Sequence, residues 1–547
     1  MSAFQTTLSR FSEKKYAGVV FVLSAFLALR LISMFTFYNG FLINFQKIAA
    51  FLPEDNFFGK IITIVPYHSW SICIGALMNP LFLAGVLVTL SPIITKKRFS
   101  DFNQLHFTSE ERGVLFLVSF ILSWELCTYD HNYYLESAFY FDRILLFVLP
   151  FVIWRLPVFV PLYVAFAFVY RSQFNYPVDG FDLFDKRLLF DILMMFTALS
   201  YVRIYFRNIN LPFLYLVLCI IASGYFVSGL SKLTMSPHGY EWLWYNELSD
   251  FFLNARTRGW LPAMSKESIH SIWIFLNKYG LYLQLFVLLL ELSSLFLLKN
   301  FRLCIWLLTG MSLMHFGIFL VGSMLFWKWM AVDLIMALLL VRTRYALERK
   351  IFSQHLFRTS IIIIISSVIW LRPYPIGWFD TKVNQYFTYE AEDLSGAVTQ
   401  IHKNDLDPFH QWFQYDKFLF LVDKPCWPVS GFGYTAKYKI QKQLNELPSD
   451  SIANCSSGFC VNQFDPKKKK KFDDFIKVYF TNRNKLNGRG VSFSFLKPPH
   501  HLNNSGLGSG LSKREIVKKF RVIYHVTYIT ESETQELVRE TVDEIII

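Results

Sequence analysis

The sequence predicts an all-α polytopic membrane helix bundle of roughly 9–11 spans, each needing about 20 apolar residues, followed by a C-terminal β-rich soluble domain. Three observations carry this. Of 547 residues 53% are hydrophobic and 18% aromatic, including 58 Phe and 14 Trp, which places the chain among integral membrane proteins. Apolar runs of spanning length recur from residue 17 to residue 371. Beyond about residue 372 the pattern changes to short apolar runs separated by Pro, Gly and Asn clusters.

Walking the chain gives candidate spans near 17–38, 69–92, 113–129, 137–154, 156–171, 187–206, 211–231, 272–298, 303–325, 326–342 and 357–371. The run at 156–171, which carries Pro157 and Pro161, and the one at 357–371 also suit a re-entrant or interfacial segment. The charged lead before the first run has no small-residue cleavage site after it, so an uncleaved first span is expected. Basic clusters at Arg10/Lys14/Lys15, Lys96/Lys97/Arg98, Arg203/Arg207, Lys299/Arg302 and Arg342/Arg344/Arg349/Lys350 would all face one side. That side should be the cytoplasm, which makes the N-terminus cytoplasmic and the C-terminal domain extracytoplasmic or lumenal.

The net charge of +13 sits mainly between apolar segments and in the tail, as anionic membrane lipid would require. Nucleic acid is excluded as a partner because no nucleic-acid fold signature is present. Residues 1–371 thus form the transmembrane domain and residues 372–547 the soluble one, long enough for a core of its own. In the latter, Phe418–Val422, Val491–Phe495 and Phe520–Tyr528 read as strands and Tyr438–Leu447 as a helical piece. Lys467–Lys471 and Asn503–Ser512 read as exposed loops, the first basic and the second Gly/Ser-rich. Cys455 and Cys460 are placed to close a local disulfide outside the cytoplasm, and no matching pair stands at zinc spacing, so no metal is expected. Asn454-Cys455-Ser456 and Asn503-Asn504-Ser505 fit the glycosylation pattern.

Chemistry is sought among the ionisable residues at membrane depth. Lys232 closes the apolar run Ile220–Leu233, where desolvating an ammonium is costly, so it is a functional candidate; a lysine at a helix end also snorkels to headgroups. Glu291, His315 and Asp333 lie inside apolar runs and should face protein or water. Asp130-His131-Asn132-Tyr133-Tyr134-Leu135 forms a polar cluster at the same non-cytoplasmic level as Lys232, or caps the next helix. A histidine and a lysine meeting beside an apolar aromatic pocket suit proton abstraction from a hydrophobic phenol or quinol.

Gly224-Tyr225-Phe226-Val227-Ser228-Gly229-Leu230-Ser231-Lys232-Leu233 with Trp242-Leu243, the earlier His131-Asn132-Tyr133-Tyr134-Leu135, and the later Leu290-Glu291-Leu292 and Met314-His315-Phe316-Gly317-Ile318 resemble the ordered landmarks of HTTM (horizontally transferred transmembrane) domains. That family includes vitamin K-dependent γ-glutamyl carboxylase, and the resemblance covers about residues 15–345. It implies a lyase that uses vitamin K hydroquinone or a related quinol. Lys232 would be the catalytic base, His131 or Asn132 its assistant, and Tyr133, Tyr225, Glu291 and His315 the residues around the cofactor. Where the carboxylase has paired lysines this chain has Ser231-Lys232, so only the second is retained. Matching on Tyr133-Tyr134-Leu135 sets Asn132, rather than His131, opposite the family histidine. The tail does not match the carboxylase's lumenal domain. The alternative expectation is a non-enzymatic membrane factor that matures, exports or chaperones a secreted polypeptide client, with the tail as docking module.

Overall fold

The computed structural model describes residues 17–38, 107–127, 141–172, 186–205, 211–343, 350–406, 409–448, 451–452, 455, 458–485, 487, 498–499, 511, 515–531 and 533–547. The predicted span 69–92, the strand Val491–Phe495, both glycosylation triplets except Cys455, and all of the Asn503–Ser512 loop but Leu511 lie outside them.

The described chain is mostly helical, with a C-terminal β-sheet region. Its helices are α1 Ala17–Tyr38, α2 Ser109–Cys127, α3 Phe141–Arg155, α4 Val160–Ser172, α5 Arg187–Tyr205, α6 Phe213–Thr234, α7 Glu241–Tyr245, α8 Leu248–Thr257, α9 Lys266–Ser293, α10 Phe301–Gly322, α11 Trp327–Arg342 and α12 Gln354–Trp370. Among the described residues three helices are long and apolar enough to cross a membrane: α6, α9 with its 3-10 extension to Phe296, and α10. Shorter apolar stretches lie at Gly18–Leu31, Ile144–Arg155, Pro157–Ala167 and Gln354–Trp370.

The three long helices play different parts. In α6, 89% of the apolar window is buried by neighbouring protein, against 28% in α9 and 39% in α10, so α6 is a central post and the others present apolar side chains outward. Tyr282, Phe286 and Leu289 of α9 and Trp306, Leu313 and Leu320 of α10 are exposed, a surface that water would penalise and hydrocarbon accepts. Helix starts are set locally. Ser265, Asn300 and Ser353 each accept a hydrogen bond from a backbone N–H of the first turn of α9, α10 and α12, at 3.2, 2.9 and 3.3 Å. Pro157 opens a 3-10 turn, Pro157–Phe159, that leads directly into α4.

After α12 the chain forms β1 Phe379–Asp380, β2 Val383–Asp393 and β3 Val398–Ile401, then helix α13 His410–Tyr415, β4 Pro425–Cys426, β5 Tyr434–Thr435, helix α14 Tyr438–Glu446, β6 Val461–Asn462, helix α15 Pro466–Lys485, β7 Val517–Thr530 and β8 Glu533–Ile546. The main sheet is antiparallel in the order β3-β2-β7-β8. One face packs Phe387, Tyr389, Phe520 and Tyr524 into a core with Trp412, Phe418 and the buried stripe of α15.

Two sequence readings are corrected here. Phe418–Val422 is not a strand: the N–H groups of Leu421 and Val422 bond back to the carbonyls of Phe418 and Leu419 at 2.9 and 3.2 Å, which winds a 3-10 turn. Lys467–Lys471 is not a loop but the first turns of α15, whose Phe472, Phe475, Ile476, Tyr479 and Phe480 are buried at helical spacing. Cys455 and Cys460 are joined in a disulfide with Cα atoms 5.9 Å apart. A further core unites the two regions, with Phe251, Phe252 and Trp260 packed alongside Phe432 and Ile529.

Candidate functional site

Helix α6 carries Lys232 two residues before its end, and α9 carries Glu291 opposite it. Gly229 allows the two helices to approach. A Cβ there would stand 3.1 Å from both Glu291 Cβ and Leu292 Cδ2, tighter than ordinary packing. Lys232 and Glu291 are only 6% and 4% exposed, so neither snorkels to solvent. The Lys232 Nζ donates to Glu291 Oε1 at 2.8 Å, to Oε2 at 2.7 Å and to the Ile376 carbonyl at 2.9 Å. Three acceptors match the three N–H groups of an ammonium.

The Ile376 carbonyl belongs to the segment that follows α12 and folds back over the end of α6. Trp242 of α7 lies beneath the ammonium, its ring centroid 5.4 Å from Nζ, and its indole N–H donates to the Trp378 carbonyl at 2.7 Å. The C-terminal sheet region thus completes a site begun by the helices.

Two turns earlier on α6, Tyr225 donates its hydroxyl hydrogen to Asp333 Oδ2 of α11 at 2.5 Å and lies 2.9 Å from His315 Nε2 of α10. Its ring packs edge-on against Trp329, with centroids 5.4 Å apart. Asp333 is therefore engaged in an interhelical hydrogen bond, one of the two readings open for a carboxyl at that depth.

Lys232, Glu291, Tyr225 and His315 line one cavity of about 120 Å³, whose remaining wall is largely aromatic and aliphatic, with Phe251, Phe326 and Trp329 prominent. The structure brings these four predicted residues together. His131, Asn132 and Tyr133 lie outside the described residues. Three lining residues with polar side-chain amides or carboxyls, Gln284, Asn246 and Asp380, escaped the sequence reading. Gln284 of α9 donates to the Asn246 carbonyl at 2.6 Å, while its own Oε1 is buried with no hydrogen-bond partner among the described residues. A rule extended from charged to amide side chains inside apolar runs would have found it. Asn246 and Asp380 carried no such signal. Burial pushes the Asp380 carboxyl up to about 7, opposed by its contact with Asn246 and by the Trp378 indole N–H at 3.2 Å.

Chemically, the cavity offers the Lys232–Glu291 pair at one end, an aromatic wall, Tyr225 and His315 deeper in, and a protonatable carboxyl from the C-terminal sheet region. Comparison with protein-family models, with curated proteins and with solved structures found no match for this chain.

Proposed function

We propose that this chain is a multi-pass HTTM-type membrane enzyme in which the Lys232–Glu291 pair exchanges a proton with the hydroxyl of a phenol or quinol admitted to the cavity. The observation that supports this reading is the convergence of a buried ion pair with Tyr225 and His315, the tyrosine backed by Asp333, on one mostly apolar cavity. Perturbed titratable groups in an enclosed pocket are the usual mark of a catalytic site.

Size narrows the ligand. An apolar cavity of ~150 Å³ admits a single benzene ring, so about 120 Å³ suits one ring held tightly. The fused two-ring head of vitamin K hydroquinone is larger, and the fit favours a single-ring quinol. Such a group, when bound, supplies an acidic hydroxyl whose anion is readily oxidised.

The protein's own contribution follows from its geometry. Glu291 is the group able to accept a proton, since an ammonium donating through all three N–H groups has no lone pair for that role. Lys232 then remains as the cation beside the new anion, and a fixed ammonium in a water-poor site stabilises charge without reorganising. Trp242 and the Ile376 carbonyl hold Nζ in place. Phe251, Phe326 and Trp329 exclude water. This reading shifts the base from the lysine alone to the pair.

The test is oxygen-dependent consumption of unsubstituted hydroquinone (one ring) against menadiol (two rings) by purified protein in nanodiscs. The reading expects turnover of the first to fall at least tenfold in Glu291→Gln and in Lys232→Met. Equal rates in wild type and both variants would overturn it.

A further inference from the structure

A second cavity, of about 650 Å³, lies between the helical and sheet regions and shares no lining residue with the first. Its charges segregate by wall. Arg256 of α8 and Lys266 and His270 of α9 stand on the helical side, while Glu533 and Glu536 of β8 stand on the sheet side. Lys266 and Glu533 approach to 3.9 Å, but their side chains are 88% and 76% exposed, so this contact holds the walls only weakly and a guest can displace it.

The floor carries the second observation. Thr527 of β7 lines the cavity and is 3% exposed, yet its Oγ1 has no hydrogen-bond partner among the described residues. Its cross-strand neighbour Asn384 is fully buried beside it, and neither atom of that side-chain amide has a partner among the described residues. Leaving such groups unsatisfied is costly, so adjacent unmet polar atoms under a polar cavity point to a guest that hydrogen-bonds there.

The chemistry of the walls selects the guest. An anion alone would meet Glu533 and Glu536, and a cation alone would meet Arg256 and Lys266. A volume of about 650 Å³ lies in the middle of the range used for drug-sized molecules. The first large exposed apolar side chain on α9 is Ile274, eight residues beyond Lys266, or about 12 Å along the axis. That places the cavity at the polar, N-terminal end of α9, away from its exposed apolar side chains.

We propose that this cavity binds a small zwitterion of short-peptide size, its carboxylate toward Arg256 and His270, its ammonium toward Glu533 and Glu536, and its amide groups over Thr527. The pocket is independent of the ion-pair cavity and of any reaction there.

Calorimetric titration of the full chain in nanodiscs with tri-alanine, with N-acetyl-tri-alanine amide and with inorganic phosphate tests it. Tri-alanine should bind saturably, with the doubly blocked peptide and phosphate each at least tenfold weaker. Arg256→Gln should abolish the preference for a free carboxylate and Glu533→Gln the preference for a free amine. Thr527→Val, which removes an unpartnered hydroxyl at nearly constant shape, should weaken tri-alanine about fivefold while leaving the unliganded protein at least as stable. Equal binding of blocked and free peptide, phosphate binding as tight as the peptide, no binding by any probe (a merely hydrated cleft), or unchanged affinity in Thr527→Val would each overturn the proposal.

Discussion

Replacing Glu291 by leucine strands an ammonium. In Glu291→Leu, Lys232 keeps one acceptor, the Ile376 carbonyl at 2.9 Å, and loses two at 2.8 and 2.7 Å, in a site where it is 6% exposed. Removing one member of a buried ion pair costs about 3–5 kcal/mol, chiefly because the other charge stays buried without compensation. Lys232→Met strands the carboxylate in the same way and should cost about as much. The double variant buries no charge, fills similar volume and should lie near the wild type, giving a coupling of about 6 kcal/mol or more between the two sites. The assay is a double-mutant cycle by SDS titration in mixed micelles, read by tryptophan fluorescence. Single variants that each cost under about 1 kcal/mol, or a double variant whose cost is their sum, would refute the inference that a compensated buried pair holds α6 to α9.

Gly229→Val places a branched side chain where even a Cβ would stand 3.1 Å from Glu291 and Leu292, so it should cost about 1–3 kcal/mol. Gly317→Val, whose Cβ meets nothing within 4 Å, is the control and should cost less in the same titration. Asp380, raised from 3.8 to about 7, keeps its proton in the folded state over a range where the unfolded chain releases it. Its contribution is therefore full below about pH 4, declines as pH rises to about 7, and amounts to at most ~4 kcal/mol; Asp380→Asn should flatten that slope in stability measured against pH. The Cys455–Cys460 disulfide closes a short loop, worth about 2 kcal/mol on a chain-entropy account. In intact membranes both thiols should react with maleimide only after reduction, and labelling without reductant would contradict an oxidised pair.

The apolar runs made α6, α9 and α10 legible because a chain in lipid must satisfy its backbone internally, and length then specifies the helix. Lys232, Glu291 and His315 were visible for a related reason: a polar group in an apolar run needs a partner, and the structure supplies one for each. What was hidden came from tertiary docking. Ile376, Trp378 and Asp380 sit in an unremarkable stretch, and only its fold back across α6 turns a carbonyl and a carboxyl into cavity wall. Local signals were also outweighed in the C-terminal sheet region. The five-lysine run drew attention from the Phe472, Phe475, Ile476, Tyr479, Phe480 spacing that winds α15. The β-prone run Phe418–Val422 buries Phe420 and Leu421 through a 3-10 turn instead of a ladder, tertiary packing overriding its strand propensity.

The most direct test of the ion-pair cavity is equilibrium binding of unsubstituted hydroquinone under anaerobic conditions to the wild type and to the Lys232→Met/Glu291→Leu double variant, both in nanodiscs. The double variant keeps the cavity's shape while removing its charges, so fold and chemistry are read separately. Saturable binding by the wild type that drops at least tenfold in the folded double variant is the predicted result. Affinity that is the same in both, or absent in both, would contradict a role for this pair in holding a hydroxylated ring.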